Sequence, residues 1–233
     1  MGGEPTFNRF LATVDRDGAL EEAGAELDRA FSRRRLLGLS AAGAGAVLLG
    51  RAGVVRAAAG LSATDVSILN YALVLEYLQA SFYTEAERSG ALSGRTAQAA
   101  QVVGATERAH VKAFLELLGS QAVKRPSFDF QGVTEEQRAF LKTAVAFEDL
   151  AVAAYKGQAP KLRSDAVLAA AVGIHSVEAR HAAWMRELFG ITPAVHAFDQ
   201  PASRRQINRI VASTHFVVAH PKMKGTAKPQ YTG

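Results

Sequence analysis

The chain contains one helix-pair pattern twice. Glu107, His110, Glu116, Leu117 and Gly119 recur 71 residues later as Glu178, His181, Glu187, Leu188 and Gly190. Glu76, Leu78 and Tyr83 recur 72 residues later as Glu148, Leu150 and Tyr155. Each copy therefore holds a lone glutamate followed by a Glu-x-x-His. Residues three apart share one face of an α-helix, so the glutamate and histidine of each pair can aim at one point. The four glutamates stand in apolar surroundings, such as ALVLEYLQ around Glu76 and AVAFEDLAVAAY around Glu148. Burying a carboxylate without a partner is costly. Any fold of this chain must therefore bring these groups to something that compensates them.

The repeat predicts an all-α fold. Apolar residues at three- and four-residue spacing mark four helical segments. The first runs from about Ser62 to Arg88 and ends at Gly90; the second runs from about Gly94 to Leu118 and ends at Gly119. The third is expected to start at Thr134, with Gln137 completing a capping box, and to reach about Lys156. The fourth runs from Ser164-Asp165 to Leu188, with Gly190 and Pro193 beyond. No segment shows a convincing strand pattern. The connections at 89–93 and 157–163 are short, which makes antiparallel neighbours of helices 1 and 2 and of helices 3 and 4. Residues 119–133 form a longer connection. A 25-residue helix is about 37 Å long, and fifteen extended residues reach about 50 Å. The connection can thus cross a whole bundle. Residues 203–212 (SRRQINRIVA) predict a short further helix over one end.

In such a bundle the four glutamates fall near helix midpoints and so at one level. Four carboxylates sharing an apolar core repel one another and lose hydration. Two divalent cations would neutralise them. Carboxylates with one imidazole per ion suit Fe(II), Mn(II) and, less selectively, Zn(II). With no cysteine in the chain, thiolate sites, disulfides and cysteine nucleophiles are excluded, which leaves glutamate and histidine to hold a metal.

The order Glu, Glu-x-x-His, Glu, Glu-x-x-His resembles the ferritin-like di-iron carboxylate superfamily. The resemblance spans roughly Ser62 to Phe189. It is narrower still to exported bacterial ferritin-like domain proteins and their desiccation-related relatives. It implies a ferritin-like four-helix bundle with one long crossover between helices 2 and 3. By position, it implies that Glu76 and His110 are terminal ligands of one metal, that Glu148 and His181 are terminal ligands of the other, and that Glu107 and Glu178 bridge. The expected cofactor is a pair of divalent ions, iron first and manganese as the alternative. Neither a haem-ligand methionine in the first two helices nor a four-cysteine module is present, so classical bacterioferritin and rubrerythrin are poor matches.

Other residues near these positions have less definite readings. Tyr83 and Tyr155 lie two turns past their glutamates. They are candidates to hydrogen-bond ligands or relay electrons, and core packing with a satisfied hydroxyl is the plainer reading. His175, one turn before Glu178, is a candidate for a supporting contact. Trp184 is expected in the core, and Arg108 and Arg180 at the surface. Gln79 and Ala151 stand where helices 1 and 3 would otherwise need a histidine.

The net charge of +5 says little until the chain is divided. Residues 1–59 read as an n-region and export signal. Arg33-Arg34 precede a weakly apolar Gly/Ala/Leu/Val stretch, and Ala57-Ala58-Ala59 offers a cleavage site. The paired arginines resemble a twin-arginine signal. Leu36 to Gly50 falls short of the roughly 20 residues of a membrane span, although an uncleaved anchor remains the alternative. Residues 60–190 form the bundle, and 191–233 a C-terminal extension with a flexible basic tail. Such a protein would pass the twin-arginine translocase folded and work outside the cytoplasm, with no nucleic-acid partner. The expected activity is ferroxidase or peroxidase-type chemistry, oxidising Fe(II) or reducing oxygen or peroxide. A structural or stress-protection role and metal storage in a homo-oligomeric shell are the alternatives.

Overall fold

In the computed structural model, residues 61–218 are described. The twin-arginine segment, the alternative membrane anchor and the basic tail beyond Val218 lie outside them. The described residues form five helices: α1 (Ala63–Ser89), α2 (Gly94–Leu118), α3 (Gln137–Gln158), α4 (Asp165–Phe189) and α5 (Arg204–Thr214). Among the described residues no helix is long and apolar enough to cross a membrane.

Local chemistry explains most of the boundaries. The Ser62 side chain accepts from the Asp65 N–H to start α1, and Ser164 accepts from Val167 N–H to start α4. Gly90 and Gly190 end these helices in the left-handed region, at φ 66° and 86°. The start of α3 departs from the expectation. Thr134 does not cap it, because its hydroxyl is turned to Glu85 at 2.7 Å. Glu136 caps instead, accepting from the N–H groups of Arg138 and Ala139. Gln137 is also occupied elsewhere, accepting from the Ser93 N–H on the α1–α2 turn. At α5 a full capping box does form, between Ser203 and Gln206.

Contacts at the helix ends define the topology. At one end the α1–α2 turn meets the start of α3 through Ser93 and Gln137, and Arg95 of α2 pairs with Glu187 near the end of α4. At the other end Asn70 of α1 bonds Gln121 and Val123, just past α2. There too the buried carboxylate of Asp65 accepts from the Arg163 N–H between α3 and α4. The pairs α1–α2 and α3–α4 are therefore antiparallel, and the connection after α2 runs the length of the bundle.

That crossover is more structured than a loop. Ser127–Phe128 (β1) pairs antiparallel with Val217–Val218 (β2), after α5. Phe130 is buried, with its ring 5.5 Å from those of both Phe82 and Phe216.

The core falls into two large apolar layers and a small cluster in which Ile207 of α5 packs with Leu75, Leu150 and Ala154. Toward the α1–α2 turn, Phe82, Tyr83, Val103, Phe130, Phe140, Phe147 and Met185 pack together. Toward the other end, Leu69, Leu73, Phe114, Leu118, Val167 and Ile174 do the same. On each of the four helices the midpoint glutamate lies between the two layers in sequence. The bundle is thus an apolar cylinder interrupted at one level by charge.

Candidate metal centre

The structure brings all six predicted residues to that level. Glu76, Glu107, Glu148 and Glu178 are fully buried, and His110 and His181 are 7% and 6% exposed. Donor atoms of Glu76, Glu107, His110 and Glu178 lie within 4.8 Å of one another, as do those of Glu107, Glu148, Glu178 and His181. Glu107 and Glu178 belong to both groups, and the other four residues to one each. Either group could hold a metal ion.

The two groups have matched geometry. Both imidazoles present Nδ1 to the carboxylates. His110 Nδ1 is 3.4 Å from Glu107 Oε2 and 3.2 Å from Glu178 Oε1. His181 Nδ1 is 2.9 Å from Glu107 Oε1 and 3.9 Å from Glu178 Oε2. Each shared glutamate thus turns one oxygen to its own helix's histidine and the other to the opposite one. The unshared glutamates complete the groups, with Glu76 3.2 Å from His110 and Glu148 3.6 Å from His181.

The donor set fits a pair of cations. Both oxygens of Glu107, Oε2 of Glu148, Oε1 of Glu178 and Nδ1 of His181 are buried without a hydrogen-bond partner. Buried polar atoms are rarely left so, and these five belong to residues of the two candidate metal groups. His181 Nδ1 and Glu107 Oε1 are close enough to bond but not aligned to do so. With the ring neutral, the two atoms could serve as ligands of one ion.

Electrostatics point the same way. Without a cation, burial and then the Glu107 charge push the Glu178 carboxyl well above its usual range. Burial alone would lower the pKa of His110, but the carboxylates led by Glu76 outweigh it and hold the ring protonated. At His181 burial is likewise outweighed, by Glu107 and Glu148, and the pKa rises to about 10. Protons thus stand in for missing positive charge.

The tyrosines cross between helix pairs. Tyr83 of α1 donates to Glu148 of α3 at 2.5 Å, and Tyr155 of α3 donates to Glu76 of α1. Burial first, and then the accepting carboxylate, drives both phenol pKa values well up. These hydroxyls are therefore donors at neutral pH, each bonded to one oxygen of an unshared glutamate. Gln79 Nε2 makes a long contact of 3.5 Å with Glu178 Oε2.

His175 is not brought to the cluster. It is partly exposed and lies 3.9 Å from Asp199, on the segment that returns along α4. Trp184 is half-buried against the aromatic layer. Arg108 is at the surface, paired with Glu87 of α1 at 2.9 Å, and Arg180 is exposed. Among the six grouped residues, what exposure remains belongs to the imidazoles, whose side chains are 9% and 8% accessible against at most 1% for the carboxylates. Of the cluster, only His110 of α2 and His181 of α4 touch solvent.

Comparison with known proteins agrees with the helical fold. Residues 64–190, more than half of the chain, match the family model of the ferritin-like domain. The chain belongs to the ferritin-like domain family, and its buried Glu/His cluster is compatible with a di-metal site. No curated protein matches the chain.

Proposed function

We propose that the chain is an exported di-iron carboxylate protein that oxidises Fe(II) or reduces oxygen or peroxide. The observation behind this is the pooling of six buried donors, five of their atoms unpartnered, in two groups that share Glu107 and Glu178. Four carboxylates and two imidazoles suit iron, with manganese as the alternative. When bound, the ions would supply the electrons that oxygen or peroxide accepts.

The chain's own residues set the conditions for that chemistry. Tyr83 and Tyr155 hold the unshared glutamates, so each keeps one oxygen for its histidine's group. The apolar layers above and below exclude water along the bundle axis. His110 and His181 are the residues of the cluster nearest to solvent. Export by the twin-arginine route, after metal loading in the cytoplasm, is part of the same proposal, suggested by Arg33-Arg34 and the apolar stretch behind them.

Single-turnover oxidation tests the reading. Protein loaded with Fe(II) under argon and then given oxygen should oxidise it much faster than a Glu76→Ala/Glu148→Ala variant. Equal rates would refute the redox role. A chelator that lowers the melting temperature while oxidation assays stay blank would point instead to an ion that mainly stabilises the bundle.

A further inference from the structure

Between the two helix pairs, α1 meets α3 and α2 meets α4. A separate helix, α5, covers the first of these seams. Its Ile207 is 1% exposed and packs with Leu75 of α1 and with Leu150 and Ala154 of α3. Leu75 adjoins Glu76, and Leu150 lies two residues past Glu148. The cover therefore sits at the level of the cluster, beside its two unshared glutamates. α3 is shaped to receive it. Leu150, Ala153, Ala154 and Gly157 follow three- and four-residue spacing and so share one helix face. The Ala202 N–H bonds the Ala153 carbonyl, and the Ala202 carbonyl oxygen leaves no room for a Cβ on residue 157.

This cover is lightly held. Ile207 is the one buried residue among the eleven of α5. Residues 191–200, which lead toward it, are all exposed. Its polar hold is Arg204, which bonds Gln158 of α3 and Ser67 of α1 and stacks on the Tyr71 ring at 4.9 Å. Two of these partners keep a buried polar atom unbonded, the Tyr71 hydroxyl and Gln158 Nε2. Water would meet those atoms once α5 left, which lowers the cost of lifting it. Elements with few buried apolar contacts open locally at a small fraction of the global stability.

We propose that α5 is a lid on the α1–α3 side of the cluster, and that its lifting sets how fast ions enter and leave. This rests on the di-metal reading above. The four long helices pack around two apolar layers and can part only by losing that packing, whereas α5 needs to release little more than Ile207 and Arg204. The lid gives the site a rate without giving it a ligand, since α5 supplies none of the six residues.

Stopped-flow uptake of Co(II) by the metal-free full chain, and release of Co(II) to a chelator, both followed by visible absorption, test this. Ile207→Ala and Arg204→Gln should each speed both steps. For Ile207→Ala the gain should be about tenfold or more, as for a local opening that loses one buried aliphatic side chain. The dissociation constant should stay within about threefold of the wild-type value, because the ligands are untouched. Leu118→Ala, in an apolar layer that contains no α5 residue, controls for a general loss of stability and should leave both rates near those of the wild type. Hydrogen exchange needs no variant: in the wild type the α5 amides should exchange well before those at the middle of α1 and α3. Three results would each overturn the inference: unchanged rates in an Ile207→Ala protein whose α5 exchanges faster, equal acceleration by Leu118→Ala, or wild-type α5 amides as protected as those of α1. No Co(II) uptake by the wild type would instead overturn the di-metal reading beneath it.

Discussion

The Tyr83 hydroxyl on α1 donates a 2.5 Å hydrogen bond to Glu148 on α3. Its counterpart Tyr155 does the reverse, reaching from α3 to Glu76 on α1. Each tyrosine thus ties its own helix pair to the glutamate of the other. Removing either hydroxyl leaves a fully buried carboxylate oxygen without a donor, which costs about 1–3 kcal/mol. Tyr83→Phe and Tyr155→Phe should each lower the melting temperature of the metal-free protein, by roughly 2–4 °C for every 1 kcal/mol lost. The two shifts should be alike, because the two environments are alike. Thermal unfolding followed by circular dichroism is the check, and a large effect from only one of them would break the twofold description.

Shared and unshared residues should differ in metal stoichiometry. Glu107 and Glu178 belong to both groups, so Glu107→Ala or Glu178→Ala should empty the cluster. Glu148 belongs to one group, so Glu148→Ala should leave about one ion per chain against two in the wild type, the full count for a pair of ferritin-like half-sites. Elemental analysis of protein reconstituted with Fe(II) and passed through a desalting column measures this. Retention of two ions by Glu107→Ala would contradict the bridging arrangement.

Much of this was legible in the sequence, for reasons that are local. The bounds of α1, α2 and α4 follow from caps and glycines within a few residues of each end. The cluster was legible because three-residue spacing fixes which side chains share a helix face. What escaped depends on contacts between distant segments. Thr134 carries the signature of a cap, but Glu85, 49 residues away, holds its hydroxyl, so α3 starts later. Phe128 and Phe130 alternate as in a strand, yet the strand partner, β2, comes only after α5. His175 has the right spacing to face the cluster, but the chain returning with Asp199 gives it another neighbour. The spacing of Tyr83 and Tyr155 places them near the cluster without saying which glutamate each would reach.

The returning segment has its own test at Gly157. The Ala202 N–H donates to the Ala153 carbonyl of α3 at 3.0 Å, which seats Ala202 against the helix. A Cβ at position 157 would lie 2.0 Å from the Ala202 carbonyl oxygen. Backbone at that distance must move, so Gly157→Ala should cost about 1–3 kcal/mol. The cost should appear as faster proteolytic cleavage between α4 and α5. Metal content should stay at the wild-type level, since α5 supplies none of the six residues. An unchanged cleavage rate would mean that this contact does not hold the segment.

Stability of the metal-free protein should fall as pH rises through neutrality. His181 has a pKa of about 10 in the folded chain, against an ordinary value near 6.5. Its contribution is fully present below pH 6.5 and is lost as pH rises toward 10. Glu178 adds to the trend, because its folded carboxyl is raised well above 4.5 and keeps a proton that the unfolded chain releases. Across pH 7 to 9 the folded state therefore binds more protons than the unfolded state, and stability falls by about 1.4 kcal/mol per pH unit for each extra proton held. Metal ions take the place of those protons, so the loaded protein should show a much flatter dependence over the same interval. Melting temperatures of the chelated and loaded protein at pH 7, 8 and 9 give the comparison. Parallel slopes for the two forms would mean that the cluster is not where protons and metal compete.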